Sequence, residues 1–505
     1  MEAEYEATKQ RKQLTVPEAI TYVEAAASPS AERTADMLNS LGTALKNGPR
    51  PSRGDEQRVV NAISKLTGLL LEGSSSSSSS SNSMSRIEQL DGRYLSQSAW
   101  ALSQVKSVRG TEVMQLGLAI AEQALRGEAM KAEGWKNWSG VLFGLAKAGI
   151  SCSGSKQVQA LFEVAVIHQL PPRLASGQAC NAQDVSNLML ACSKAGFAGD
   201  LRPLMSAIAS PAGVHVLNAE RARPQAASNM VKAMSEMRCY DAAAYSTANG
   251  ALLRKFDECN GFDLSNILFA CAEARHWDSS MEGLAEQIDE EVVQNWNAQD
   301  LANSLYAWAV LTAAGPPAAS ASPSFKVMAQ QLFSQVSKSS RLSAFVVMQF
   351  RQLYVAHQVA VYGKLPGGGL SGNAKLLETA AFVNEAYMNE LQRRMKGNKI
   401  DSQVATALQR AGYEFKMAKV VERNGMEEVA PLLAQGVAVS IMSVDDYFRS
   451  PPDLLRGSKH IHVVLADWVC GGSIVIPEAE WAGLKSDPLQ QQAYLARRMQ
   501  KALKS

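Results

Sequence analysis

Asn187, Asn229, Asn266 and Asn303 recur at the same place in successive helical patterns, with Gln97 and Gly140 at that place in two earlier ones. The spacings from Gln97 to Asn303 are 43, 47, 42, 37 and 37 residues. On a helix turning about 100° per residue, the positions four before and seven after this anchor fall within about 40° of it, so each triplet forms one stripe. Along the chain the stripe reads Arg93, Gln97, Gln104; Lys136, Gly140, Lys147; Gln183, Asn187, Lys194; Gln225, Asn229, Glu236; Phe262, Asn266, Glu273; and Gln299, Asn303, Val310. Side-chain amides offer a donor beside an acceptor, and Arg and Lys offer donors. Groups of this kind read nucleobase edges, and a steady centre with varying flanks suits one base per repeat. A recurring Asn can also hydrogen-bond the backbone of a neighbouring repeat, and the flanks can be plain solvated surface, so both roles stay open.

Other chemistry-bearing residues form weaker patterns. His460 and His462 stand two apart in HIHVVLADW, which reads as a strand carrying both on one face, with no third metal ligand nearby. The seven cysteines include no CxxC pair, which predicts reduced, buried side chains. Gly367, Gly369 and Gly372 satisfy GxGxxG, but VYGKLP precedes them where a dinucleotide site needs a strand. Asp289, Glu290 and Glu291 read as solvated helix surface. Arg497, Arg498, Lys501 and Lys504 end the chain's last helix, where they complement its dipole and can grip phosphates. No cofactor or metal is expected.

The elements that hold these residues are mostly helices. A chain of 505 residues exceeds one ordinary core and predicts about three domains or an extended repeat array. Its apolar fraction of 46% can fill a large interior. The net charge of 50 − 48 = +2 supplies no bulk field, which excludes a tail-driven polyanion binder and leaves a local basic groove. No stretch approaches 18 uninterrupted apolar residues, so no membrane span is expected. The start, MEAEYEATKQRKQ, has no apolar run, and Glu2, Glu4 and Glu6 are unlike a transit peptide. It predicts either a cytosolic protein or a targeting segment preceding this start. Residues 1–72 read as an N-terminal helical segment, 73–85 as a serine-rich disordered linker and 361–375 as a Gly-rich loop. Residues 376–425 read as a helical connection.

Between linker and loop, the helical patterns repeat, as in NAQDLANSLYAWAVL from Asn297 and NAQDVSNLMLACSKAGF from Asn181. One helix pair per period of about 37–47 residues, none able to bury its apolar face alone, predicts an α-solenoid over 86–360. A degenerate copy from Arg341 closes it. Leu188, Leu268, Leu305 and Trp100 should be buried between pairs. The column Trp100, Phe143, Phe269 and Tyr306 reads as inter-helix core, without a stacking role. The fold class is therefore mostly α, with a small C-terminal α/β domain.

The motif (A/S)N(L/I/S)L(F/Y)A(W/C)A resembles the octotricopeptide repeats of green-algal organelle RNA factors and the related FAST-kinase-like repeats. GGSIVIPEAEWAGLKSDPLQQQAYLARRM, from Gly471, is similar to the end of a RAP domain, with Pro477, Glu480, Trp481, Leu484, Tyr494 and Leu495 at the matching places. The resemblance implies a RAP-like domain over 426–505, with HIHVVLAD and GSIVIP as adjacent strands and Trp481 packed where the following helix meets them. It implies sequence-selective single-stranded RNA binding that controls stability, processing or translation of an organelle transcript. The compartment implied is a chloroplast, or alternatively a mitochondrion, with other organelle RNA-processing proteins as partners and no DNA expected. The expected RNA contacts are Arg93, Lys136, Lys147, Gln183, Asn187, Lys194, Gln225, Asn229, Gln299, Asn303, Arg497 and Arg498. The chain departs from RAP domains in having VDDYFRSPPDLL from Val444. Asp445, Asp446 and Asp467 could carry a nuclease metal, but adjacent aspartates on extended chain point to opposite faces, and no catalysis is expected. The rival readings are a HEAT- or armadillo-like protein-binding scaffold and an RNA-processing nuclease.

Overall fold

The computed structural model describes residues 14–49, 51–72, 85–105, 111–126, 130–338, 342–363, 365, 369–395, 399–423, 426–484 and 487–504. Residues 73–84 of the serine-rich segment and Gly367 lie outside them. The chain is mostly helical and forms two units, Met1–Met237 and Arg238–Ser505.

The first unit contains α1 (Val16–Glu24), α2 (Ala31–Asn47), α3 (Arg53–Leu71), α4 (Gly92–Gln104), α5 (Thr111–Arg126), α6 (Trp135–Lys147), α7 (Lys156–Glu163), α8 (Leu170–Ala175), α9 (Ala182–Ala195), α10 (Arg202–Ala209), α11 (Pro211–Asn218) and α12 (Pro224–Glu236). Helices α2, α4, α6, α9 and α12 pack side by side, each on the next. Behind them α3 packs on α5 and α5 on α7, and further along α8 packs on α10. A π-helical turn, Val164–Gln169, joins α7 to α8, where Pro171 and Pro172 remove donors from the helical ladder. The N-terminal helical segment is part of this packing: a Cβ on Gly42 of α2 would fall 2.8 Å from the Ala101 Cα of α4.

Small residues explain the close approach. Four places after each anchor stand Ala101, Gly144, Ala191, Ala233, Ala270 and Ala307. The five alanines are buried, and a Cβ on Gly144 would collide with the Ala99 backbone. The helix starts are equally local. Asn181 caps α9 by accepting from the Asp184 amide at 2.9 Å. Asn260 with Asp263, and Asn297 with Asp300, form reciprocal capping boxes.

The second unit opens with α13 (Ala242–Arg254), α14 (Gly261–Ala274), α15 (Ser279–Gln287), α16 (Glu290–Val293), α17 (Ala298–Ala314), α18 (Pro317–Ala321), α19 (Pro323–Ser337), α20 (Val347–Tyr362), α21 (Ala374–Met395) and α22 (Lys399–Arg410). Helices α14, α17, α20 and α21 pack in a row, with α13, α15 and α19 packed in order behind it. Leu268 and Leu305 are buried here, as Leu188 is in the first unit.

An α/β module follows: β1 (Phe415–Arg423), β2 (Met426–Ala434), β3 (Val437–Met442), α23 (Gly457–Cys470), β4 (Ser473–Pro477), α24 (Glu478–Gly483) and α25 (Pro488–Ala502). The sheet order is β1-β2-β3-β4, antiparallel except for the parallel β3–β4 pair, in which Val439 faces Ile474. Leu432, Val439, Ile476, Trp481, Leu495 and Met499 share its core with Val404 and Leu408 of α22. Two expectations are corrected. The sheet begins at Phe415 and its core draws on α22, so the module reaches well upstream of residue 426. HIHVVLADW is not a strand paired with GSIVIP; it is most of α23. A short apolar run is ambiguous between the two forms, and a parallel pair needs a crossover helix of this kind.

Candidate nucleic-acid interface

In the first unit the stripe lies open. Arg93, Lys136, Lys147, Gln183, Lys194 and Gln225 are exposed, and Asn187 and Asn229 are half-buried. Gln183 Nε2 donates to Asn187 Oδ1 at 2.8 Å within the stripe, and Ser193 Oγ donates to Glu236 Oε2 at 2.6 Å across two helices. The column three places after the anchor departs from the expected inter-helix core in the first unit, whereas in the second Tyr306 is buried and its ring stacks on Phe269 of the neighbouring helix. Trp100 and Phe143 are half-buried, as are Leu190 and Lys232, because that position is only about 60° from the stripe. Lys46 Nζ lies 5.7 Å from the Trp100 ring centroid and Lys147 Nζ 6.0 Å from that of Phe143. Cations beside aromatic faces add a weak attraction at these half-buried rings.

The second unit treats the same positions differently. Phe262 and Gln299 are exposed, yet Asn266, Glu273 and Val310 are buried. Asn303 Oδ1 accepts from Gln352 Nε2 at 3.2 Å. Glu273, 2% exposed, accepts from Arg456 Nε at 2.8 Å, Ser458 Oγ at 2.9 Å and the Ser458 amide at 3.2 Å. A Cβ on Gly457 would collide with the Ala272 carbonyl oxygen and fall 2.7 Å from Val310 Cγ1. Arg351 occupies the anchor place on α20, where RQLYVA aligns with NSLYAW.

His460 and His462, expected on one strand face, are about 200° apart around α23. Arg275 hydrogen-bonds His460 Nδ1 at 2.7 Å, and Arg351 hydrogen-bonds His462 Nε2 at 2.8 Å. The far side of the His462 ring, Nδ1, meets Glu428 Oε2 at 2.9 Å. At His460 a ring nitrogen facing a guanidinium must accept, which favours the neutral imidazole there. Burial, then the Arg275 charge, push His460 down to about 4.

The remaining expected residues separate. Arg497 is exposed at the surface of α25. Arg498 donates to the Val475 carbonyl at 2.8 Å and to Glu480 Oε2 at 2.7 Å, so its donors close the β4 edge. Asp445 pairs with Arg238, whereas Asp446 accepts from Ser443 and pairs with Lys459, so the adjacent carboxylates diverge. Among the described residues, no group of three or more His, Cys, Asp or Glu is placed to hold a metal. None of the described helices is long and apolar enough to cross a membrane.

A second pair recurs beside the anchor. Ser139 Oγ donates to Asp184 Oδ1 at 3.5 Å and Ser265 Oγ to Asp300 Oδ1 at 3.2 Å, each tying one repeat helix to the next. Burial raises both carboxyls above the usual range. The signal was present: serine stands one place before the anchor at Ser96, Ser139, Ser186, Ser228 and Ser265. Serine and aspartate thus tie neighbouring helices at Ser139–Asp184 and Ser265–Asp300, beside the Asn303–Gln352 bond made by one anchor Asn. No family model matches the chain, and no curated protein matches it in sequence.

Proposed function

We propose that the protein is an α-solenoid that binds single-stranded RNA along the first-unit stripe, with the α/β module as a RAP-like end. The observation that carries this reading is the open stripe itself. Exposed Arg93, Lys136, Lys147 and Lys194 can meet phosphates, Gln183 and Gln225 can meet base edges, and the half-exposed Trp100 and Phe143 rings lie alongside. Its mechanism is steric: a held strand is shielded from exonucleases or kept open for a ribosome. The octotricopeptide-like motif and the Pro477-to-Leu495 pattern extend the proposal to an organelle transcript, in a chloroplast or alternatively a mitochondrion. Electrophoretic shifts with a randomised RNA 20-mer at two salt concentrations test it. Salt-sensitive binding is expected, and no binding at either concentration sinks it.

One observation favours a protein-binding scaffold as the second reading: in the second unit the stripe holds a helix, α23, in place of open surface. Under that reading the purified protein has no salt-sensitive affinity for any RNA pool.

A further inference from the structure

The triplets of the two units occupy the same helix positions, and in the second unit Asn266, Glu273 and Val310 are covered while Phe262 and Gln299 stay exposed. Their cover comes from the chain itself. Helix α23 packs on α14 and α17 and reaches α20 through His462 and Arg351, thereby crossing three consecutive repeat helices at stripe positions. The contacts are of two kinds. Glu273 receives three hydrogen bonds from Arg456 and Ser458 at the start of α23, which uses up a buried carboxylate. Gly457, next to them, meets the Ala272 carbonyl and Val310 so closely that no side chain fits. At the other end of the helix, Trp468 stacks on Tyr362 of α20 with ring centroids 4.1 Å apart and planes 10° from parallel.

From this we infer that the α/β module is a built-in occupant of part of the second unit's stripe: α23 fills the Glu273, Val310 and Arg351 positions in cis and keeps any other strand or helix off them. Where RNA binds, which rests on the reading above, Asn266, Asn303 and Arg351 read no base, and the transcript is selected by the first unit's helices. Arg456, Gly457 and Ser458 then act as positioning residues, since they touch the stripe and not the nucleic acid.

The test uses the full chain. Val310→Cys places a thiol under α23, and Ala198→Cys places one on exposed chain as the reference. Peptide mapping after maleimide treatment is expected to show the first thiol reacting slower by on the order of a hundredfold. Opening the contact with Gly457→Leu, or without added bulk with Glu273→Ala plus Arg456→Ala, should bring its rate close to the reference. Nuclease footprints of bound RNA should cover about one nucleotide per first-unit repeat helix and lengthen by up to about three in the opened proteins. Equal labelling of both thiols in the otherwise unaltered chain overturns the inference, as do ultraviolet crosslinks from RNA to Glu273 or Val310 there. A protected Val310→Cys thiol in a protein that binds no RNA supports the occupancy and removes only the RNA reading. If Gly457→Leu fails to fold, the double variant and the unopened Val310→Cys protein still decide.

Discussion

Arg497 and Arg498 are adjacent on α25, yet only Arg498 is built into the fold. Its donors satisfy the Val475 carbonyl and Glu480, and its guanidinium lies 4.8 Å from the Tyr494 ring centroid. Arg498→Ala should therefore destabilise the second unit by about 1 kcal/mol, while Arg497→Ala leaves its stability alone and acts only on RNA affinity. Denaturant titration checks the first, salt-dependent binding the second. Burial in the first turn of α22 raises the Asp401 carboxyl from 3.8 to about 6. A folded-state value above the unfolded one favours the protonated form in the fold. Its stabilising contribution is present below about pH 4 and is lost as pH rises through 6. Asp401→Asn should then gain on the order of 1–2 kcal/mol at pH 7 and nothing near pH 4, read from melting temperatures across that range.

At the scale of elements, helical periodicity was legible because the buried positions recur with the right spacing: Leu188, Leu268 and Leu305 are where the period puts them. Trp100 was misplaced because a count of apolar residues cannot distinguish a ring inside the seam from one on its lip beneath Lys46. HIHVVLADW was misread because α23 is covered by the sheet on one side and repeat helices on the other, which leaves little polar periodicity to mark it as helix. The strand and tryptophan of the module were legible. Trp481 is 3% exposed and sits edge-on to Tyr494 at 6.4 Å in the core with Ile476 and Leu495. Trp481→Ala should cost roughly 3–5 kcal/mol of the second unit's unfolding free energy, measured by chemical denaturation. A near-neutral result would show that the tryptophan does not pack there.

For the molecule as a whole, the candidate site was only half legible. The stripe triplets could be listed from the repeat, but whether a triplet faces solvent depends on what else folds onto it. Glu273 and Val310 meet chain more than 140 residues away, beyond the reach of any local pattern. The RNA prediction therefore belongs to the first unit. Replacing Lys147 and Lys194 together with alanine should weaken binding to all sequences. It should also flatten the dependence of log affinity on log salt by about 1.4 units, at roughly 0.7 per phosphate contact on a single strand. Substituting Gln183 and Gln225 should change which base is preferred, at about 1–3 kcal/mol for each lost bidentate contact.

The fit at Gly457 also has a temporal side. Ala272 and Val310 leave the ribosome well before Gly457 does, and α23 is complete only at Cys470. At about 5–20 residues per second, α14 and α17 are finished on the order of ten to thirty seconds before the helix that will cover them. During that interval the nascent chain presents an uncovered seam of Asn266, Glu273 and Val310, so this is the stage of biogenesis at which a chaperone would have something to hold.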